Sequence, residues 1–374
     1  MEPLEQAVIE GFFTRIVAHA SRAQPVCSVV ITHLLAERPA FLRALAQVSD
    51  VRAVLPKPRS IDRRAREEIA ETFTVDELNR DRFADPGTVI DYLEERAAGQ
   101  SVVLLDVGGY FASSLPQLCD RVSGQILGVV EDTENGHRRY LALDKPPCPI
   151  LSVARSPLKR PEDFLVGQSV VFSAEAVMRA RGDIPHGRQA CVIGFGKVGS
   201  SVAQMLHAKQ VRVRVYDADP VRATEAMAQG FPVARRLDEA LASSGVVVCA
   251  TGNLALRRDD FARLRNGAYV VSVTSSDDEM ELDQLTGWYD RSPAGEHVTR
   301  YAATGHYFYV ANDGNAVNFL HGAAVGPFIF LVQAEILTAL VRLTEGDWEP
   351  GYHELAESDR RNIAQTWLTF FNRE

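Results

Sequence analysis

An α/β fold in two domains is expected from three features of the chain. Strand-like apolar runs alternate with helix-period segments along its length, as in parallel sheets covered by helices. The 374 residues are too many for one ordinary core and about right for two. A glycine-rich turn lies in mid-chain, and a complete α/β region precedes it.

The turn belongs to the stretch Ala190–Pro220. The run Ala190-Cys191-Val192-Ile193 leads into Gly194-Phe195-Gly196-Lys197-Val198-Gly199. Val202, Met205 and Leu206 then recur at helix spacing, and a second short strand, Val211 to Tyr216, ends at Asp217. In such a unit the first glycine makes the tight turn and the second admits a pyrophosphate to the backbone. The third lets helix and strand pack closely. The helix N-terminus offers N–H groups to phosphate. Asp217 stands about 20 residues beyond the glycines, where a carboxylate holds ribose hydroxyls. Gly194, Gly196, Lys197, Val198, Gly199 and Asp217 are therefore the expected cofactor residues of a Rossmann domain. Asp217 would repel a 2′-phosphate, so NAD is expected rather than NADP. An ordinary βαβ turn without a ligand is the competing reading.

Ahead of the turn, residues 1 to about 20 read as a helix, Pro25–Thr32 as a buried strand, and Leu34–Val48 as a helix. Val51–Leu55 is a strand closed by Pro56-Lys57-Pro58. Helices are expected over Arg63–Glu71 and Val89–Ala98, and strands over Ser101–Val107 and Gln125–Val130. The proline-rich connection Lys145–Pro149 ends this region, and a long helix, Gly167–Arg181, enters the turn. Beyond Asp217, helices at Val221–Gln229 and Leu237–Ala242 alternate with strands at Gly245–Ala250, Ala268–Val273 and Phe308–Ala311. Thr251-Gly252-Asn253 follows the first of these strands, and loops at such strand ends line the cofactor crevice. Val325–Leu343 is a long apolar helix that returns the chain to the first domain, followed by an amphipathic tail. The expected domains are residues 1–165, completed by about 335–374, and residues 175–330.

Composition narrows the class. Hydrophobic content of 46% and charged content of 24% fit a soluble globular protein. A net charge of −9 argues against a general nucleic-acid binder. The five cysteines have no C-x-x-C spacing, so neither a zinc site nor a disulfide framework is expected, and a reducing cytoplasm is. The N-terminal residues carry acids and no long apolar core, so no signal peptide is expected. Ala323–Leu340 contains Gln333 and Glu335 and reads as too polar to span a membrane.

Seven stretches, in order, resemble the S-adenosylhomocysteine hydrolase family. Thr32-His33-Leu34 falls where that family has L-H-M-T. Leu105-Asp106-Val107-Gly108-Gly109 resembles D-D-G-G-D, and Glu131-Asp132-Thr133-Glu134-Asn135-Gly136 resembles E-E-T-T-T-G. Ser156 through Phe164 resembles S-V-T-K-S-K-F-D-N, and the glycine turn with Asp217-Ala218-Asp219-Pro220 resembles G-x-G-x-V-G-x-G and E-x-D-P. Ala250-Thr251-Gly252-Asn253 resembles T-T-G-N, and Ala311 through Asn318 resembles A-E-G-R-L-V-N.

The resemblance implies a bound NAD and a redox cycle on a nucleoside. The 3′-hydroxyl is oxidised, the C4′ proton becomes acidic, the 5′ substituent leaves, water adds, and the ketone is reduced. It implies that Lys159 and Asp163 handle the ribose hydroxyl and its proton, that Asp132 and Thr133 contact the nucleoside, and that His33 faces C5′. Thr251, Gly252, Asn253 and Asn318 would meet the cofactor, Asn318 at the nicotinamide amide. Taken without that context, Lys159 and Asp163 read as a surface ion pair, His33 as a core histidine and Asp132 as a turn cap.

Departures from the pattern bear on the substrate. Val107 stands where the family has a second acid, and Asp277 where it has a histidine. His321 lies near the missing G-H-P, out of register, and the C-terminal K-P-D-x-Y-R-Y is absent. Thr133, Asp277 and His321 are thus the substrate-side candidates. The groups around the 3′-hydroxyl are kept and those around the base and 5′ side are altered. This points to the same chemistry on another nucleoside: a dehydratase of specialised nucleoside metabolism, with His33 protonating the departing hydroxide. A true S-adenosylhomocysteine hydrolase and a non-catalytic NAD-bound homologue that binds a partner protein are the alternatives. The resemblance also implies a homodimer or homotetramer; composition adds the expectation of a cytoplasmic protein with no nucleic-acid, membrane or metal partner.

Overall fold

The computed structural model describes residues 3–18, 26–274, 279–321 and 325–372. The chain forms two compact units, Met1–Lys159 with Pro327–Glu374, and Arg160–Gly326.

The first unit begins with helix α1 (Pro3–Val17), strand β1 (Cys27–Leu34), α2 (Arg38–Leu45), β2 (Asp50–Ile61), α3 (Arg63–Ala70), α4 (Arg80–Phe83) and α5 (Pro86–Ala97). It continues through β3 (Ser101–Asp106), α6 (Leu115–Arg121), β4 (Gln125–Glu131), α7 (Glu134–Leu141) and β5 (Pro149–Ser152) to a single 3-10 turn at Pro157–Lys159. Local chemistry starts several helices. Asp62, Asp85 and Thr133 each accept a backbone N–H of the first turn, and Pro86 occupies a position whose N–H is not needed.

The second unit contains α8 (Arg160–Ala180), β6 (Gln189–Ile193), α9 (Lys197–Ala208), β7 (Arg212–Tyr216), α10 (Pro220–Ala228) and α11 (Leu237–Ser243). Then come β8 (Val246–Cys249), α12 (Arg258–Phe261), β9 (Ala268–Ser272), β10 (Asp290–Gly295), β11 (Val298–Ala303) and β12 (His306–Ala311). The chain re-enters the first unit with α13 (Ile329–Glu345), β13 (Gly351–His353) and α14 (Glu357–Phe371).

The first unit's sheet is parallel throughout, in the order β13-β5-β4-β3-β1-β2. One apolar cluster covers one face, with α1, α2, α13 and α14; a second, including α5 and α6, covers the other. Three features depart from the sequence reading. β2 runs on through Pro56 and Pro58 instead of stopping before them. It is an edge strand whose pairing with β1 shifts register between Thr32 and Leu34, and an edge tolerates prolines that cannot donate. β5 extends the sheet past the proline-rich connection, and the tail adds a sixth strand, β13, beside it. These last two strands are too short to show a period.

By length and mean hydropathy, 1.5, the helical stretch Gly326–Glu345 is apolar enough to cross a membrane, contrary to the sequence reading. It is 61% buried within the first unit, and Gln333 and Glu335 are wholly buried in it. α13 is the core helix of this unit.

In the second unit β7, β6, β8, β9 and β12 form a parallel sheet, extended by the antiparallel hairpin of β11 and β10. The hairpin was not legible in the sequence: β10 is almost wholly exposed and carries no apolar alternation. α8 packs against α9 at Gly167, where a Cβ would lie 2.5 Å from Ser201 Cβ.

Candidate functional site

In the second unit β6 is flanked by β7 on one side and β8 on the other. Loops leaving strands at such a reversal part and open a crevice at the carboxyl ends. Gly194 makes the turn out of β6 with φ +94°, and a Cβ on it would meet Ala250 O at 2.6 Å. A Cβ on Gly199 would lie 2.0 Å from Gly194 O. Both glycines are thus required by the protein's own packing. Gly196 is different: no atom lies within 4 Å of a Cβ placed there. It is the residue before α9, whose first turn has no side-chain cap.

Those uncapped N–H groups and that open space fit a pyrophosphate. Val198 sits half-buried in the same first turn. Lys197 Nζ lies 3.4 Å from Asp163 Oδ2, so Asp163 pairs with the glycine-turn lysine. Asp217 accepts from Phe195 N at 2.6 Å and from Asp219 N at 2.8 Å. A carboxylate oxygen has a further lone pair, so ribose hydroxyls remain within its capacity. Asn318 Oδ1 is buried with no hydrogen-bond partner among the described residues. A buried amide oxygen in that state calls for a donor, and a nicotinamide carboxamide supplies one.

Thr251-Gly252-Asn253 leaves β8 beside the glycine turn and is held by Glu279, a residue the sequence reading did not assign. Glu279 is fully buried. Its carboxylate accepts from Gly252 N at 2.7 Å, Thr251 N at 3.3 Å, Thr251 Oγ1 at 2.8 Å and Thr274 Oγ1 at 3.0 Å. Burial pushes its pKa up, against the pull of these donors. Asn253 is exposed at the end of the loop. The signal was present: Glu279 occupies the position of the last acid in the segment where attention fell on Asp277. Asp277 itself lies outside the described residues. Glu279→Gln turns an N–H₂ donor toward backbone N–H donors, which costs about 1–3 kcal/mol. The expected result is a tenfold or greater weakening of NAD binding, of the order of 1.4 kcal/mol, read by titration of the apoprotein. Unchanged affinity would remove Glu279 from the site.

In the first unit the candidates gather at the carboxyl ends of parallel strands. β1 carries His33, β3 ends at Asp106, β4 ends at Glu131 beside Asp132, and the turn after β5 carries Lys159. Lys159 Nζ lies 2.8 Å from Asp132 Oδ1, and each side chain is 11% exposed. Lys159 is therefore a buried lysine with a carboxylate partner 27 residues away, and Asp132 is that partner and not merely a turn cap.

His33 Nδ1 lies 2.5 Å from Ser60 Oγ. Burial, then the charges of Lys57, Arg38 and Lys159, hold its pKa well below the usual histidine value. A neutral imidazole takes a proton before it gives one.

Thr133 donates its hydroxyl to Glu131 Oε1 at 2.7 Å and accepts from Gly136 N at 3.0 Å, so it caps α7. Glu131 is wholly buried and accepts further from Gly108 N, Gly109 N and Thr133 N. Burial and the neighbouring Asp106, its register partner across β3 and β4, raise its pKa. Glu131 thus fixes the glycine turn after β3 and the start of α7. His321, in the second unit, is exposed, with its ring against Phe172 and His297. No group of three or more His, Cys, Asp or Glu residues that could hold a metal occurs among the described residues.

Comparison with known proteins adds the following. Residues 166–323 match the family model for the NAD-binding domain of S-adenosyl-L-homocysteine hydrolase. Among solved structures the chain is similar to a pyruvate reductase of Chlamydomonas reinhardtii at 13% identity and TM-score 0.43, covering 86% of this chain and 98% of that one. A D-3-phosphoglycerate dehydrogenase from Ralstonia solanacearum, so described provisionally, matches at 15% identity and TM-score 0.41, covering 71% and 76%. A phosphoglycerate oxidoreductase from Vibrio cholerae matches at 13% identity and TM-score 0.39, covering 83% and 98%. The glycine turn, the Thr251 loop held by Glu279, and Asn318 all lie inside the stretch matched by the family model. That stretch of the chain matches the NAD-binding domain of S-adenosyl-L-homocysteine hydrolase.

Proposed function

We propose that the chain transiently oxidises the 3′-hydroxyl of a nucleoside, removes the group at C5′, and acts as a nucleoside dehydratase. The observation that carries this reading is the buried Lys159–Asp132 pair at the strand ends of the first unit. A lysine kept nine-tenths buried needs a reason beyond solubility. Beside a ribose, its charge would stabilise the 3′-oxygen as the hydroxyl proton is lost, while Asp132, one hydrogen bond away, accepts that proton or orients the sugar.

NAD, when bound, supplies a two-electron oxidant that is regenerated before product leaves. Once C3′ is a ketone, the C4′ proton is acidic. Neutral His33 takes it and returns it to the hydroxyl leaving C5′, so one proton moves and one water departs. Ser60 orients the imidazole through Nδ1.

His33→Ala separates the two halves. It should leave single-turnover NAD reduction intact, read by the absorbance of the reduced cofactor, and abolish loss of water, read by mass spectrometry of the nucleoside. Failure of NAD to be reduced by any of a panel of hydroxymethyl nucleosides would overturn the proposal. Vigorous homocysteine release from S-adenosylhomocysteine would replace it with the hydrolase.

A further inference from the structure

The segment that carries Asn318 leaves β12 through three consecutive residues with positive φ, Asn312 at +50°, Asp313 at +49° and Gly314 at +82°. Side chains disfavour that region, Asn and Asp least among them, and glycine is free to enter it. The chain therefore reverses sharply here, and the reversal decides where Asn318 lies.

Asn312 ties the turn together. Its N donates to His297 O at 2.8 Å, and its O accepts from Asn315 N at 2.9 Å and Asn315 Nδ2 at 3.0 Å. Its side chain reaches past the turn, where Nδ2 donates to Ala316 O at 2.9 Å. Ala316 also bridges to Ser272 at the end of β9, and Val317 N donates to Ser272 O at 3.2 Å. Val317 is wholly buried, which seats the segment in the core. Asn318 follows directly, with the orphaned amide oxygen described above. Ser272 Oγ in turn donates to Thr274 O at 2.8 Å, and Thr274 Oγ1 donates to Glu279. The Asn318 segment and the Thr251 loop thus hang from the same strand end. Asp313 differs: it is exposed and accepts from Thr299 Oγ1 on β11 at 2.7 Å.

A single amide oxygen can fix a carboxamide only if it is itself held to within about 0.5 Å by its surroundings. We propose that Asn312 is the positioning residue for this contact. Its grip on Ala316 O sets Asn318 Oδ1 to accept from the carboxamide N–H₂ of the nicotinamide, and so makes cofactor binding depend on that N–H₂. The inference rests on the NAD-binding domain and not on the reaction proposed above.

The test uses the full chain freed of nucleotide and titrated calorimetrically with three ligands. These are NAD, its 3-acetylpyridine analogue, in which a methyl group replaces the carboxamide N–H₂, and ADP-ribose, which lacks the nicotinamide ring. Asn312→Gly accepts the positive φ and removes the Nδ2 bond. Asp313→Gly, which loses only the bond to Thr299, is the control. Wild type and Asp313→Gly are expected to bind NAD about tenfold more tightly than the analogue, because the analogue leaves the buried oxygen without a donor. Asn318→Ala should abolish that preference. Asn312→Gly should cut it to about threefold or less while binding ADP-ribose as wild type does. An undiminished preference in Asn312→Gly would overturn the inference. So would an equal weakening of all three ligands, which would mean that Asn312 serves only the fold. Loss of the preference in Asn318→Ala but not in Asn312→Gly would leave the Asn318 contact standing and remove Asn312 from it. A wild type without any preference would remove both. The nucleoside reaction is read separately, by NAD reduction, and its failure would leave this inference untouched.

Discussion

Lys159→Met is expected to lower substrate-driven NAD reduction by roughly 10²–10⁴-fold, the usual worth of a positioned proton-transfer group. NAD itself should still bind, because the glycine turn, the Thr251 loop and Asn318 belong to the other unit. The same change leaves Asp132 buried without its cation, and breaking a buried pair costs about 3–5 kcal/mol. A melting temperature well below wild type is therefore expected alongside the lost activity. Lys159→Met with Asp132→Asn separates the two effects. The double variant removes both charges, should recover most of the stability, and should remain inactive. Activity that returned with stability would mean that Lys159 acts only through folding, and full activity of Lys159→Met would end the proposed mechanism outright.

The second large effect concerns the cofactor and uses the contrast between two glycines. Gly196→Val should leave the apoprotein folded and melting near wild type, because nothing lies within 4 Å of the added Cβ. NAD binding should weaken by at least about 100-fold, near 2.8 kcal/mol, because the side chain fills the space the backbone leaves for the pyrophosphate. Gly199→Ala should behave in the opposite way. Its Cβ would sit 2.0 Å from Gly194 O, so helix and strand must separate and stability must fall whether or not NAD is present. Calorimetric titration with NAD and melts of the apoproteins distinguish the two. A Gly196→Val protein that bound NAD normally would move the cofactor away from this turn.

Much of the second unit was legible because its signals are local. A strand, a turn needing positive φ, an uncapped helix and an acid at the next strand's end are each set by neighbours in sequence, and Gly194, Gly199 and Asp217 appear in those places. The central parallel strands were legible too, being buried on both faces and so written as unbroken apolar runs. Edge elements were not. β10 is nearly all exposed, β13 has three residues, and β2 crosses two prolines. Edges are selected for what they leave unpaired, which leaves little periodicity to read.

The sequence by itself determined the α/β class, the dinucleotide-binding unit with its glycines and acid, and the residues that deserved chemical scrutiny, Lys159, Asp163, His33 and Asp132 among them. Only the tertiary structure decided their partners. Lys159 meets Asp132 and Asp163 meets Lys197; Thr133 caps a helix, and Glu279 holds the cofactor loop. The reason is physical. A strand, turn or helix start is specified over a few residues by backbone sterics and local hydrogen bonds. The partner and charge state of a buried side chain are set by which strand ends the sheet order brings side by side and by how much water is left there, and neither quantity is written at any single position in the chain.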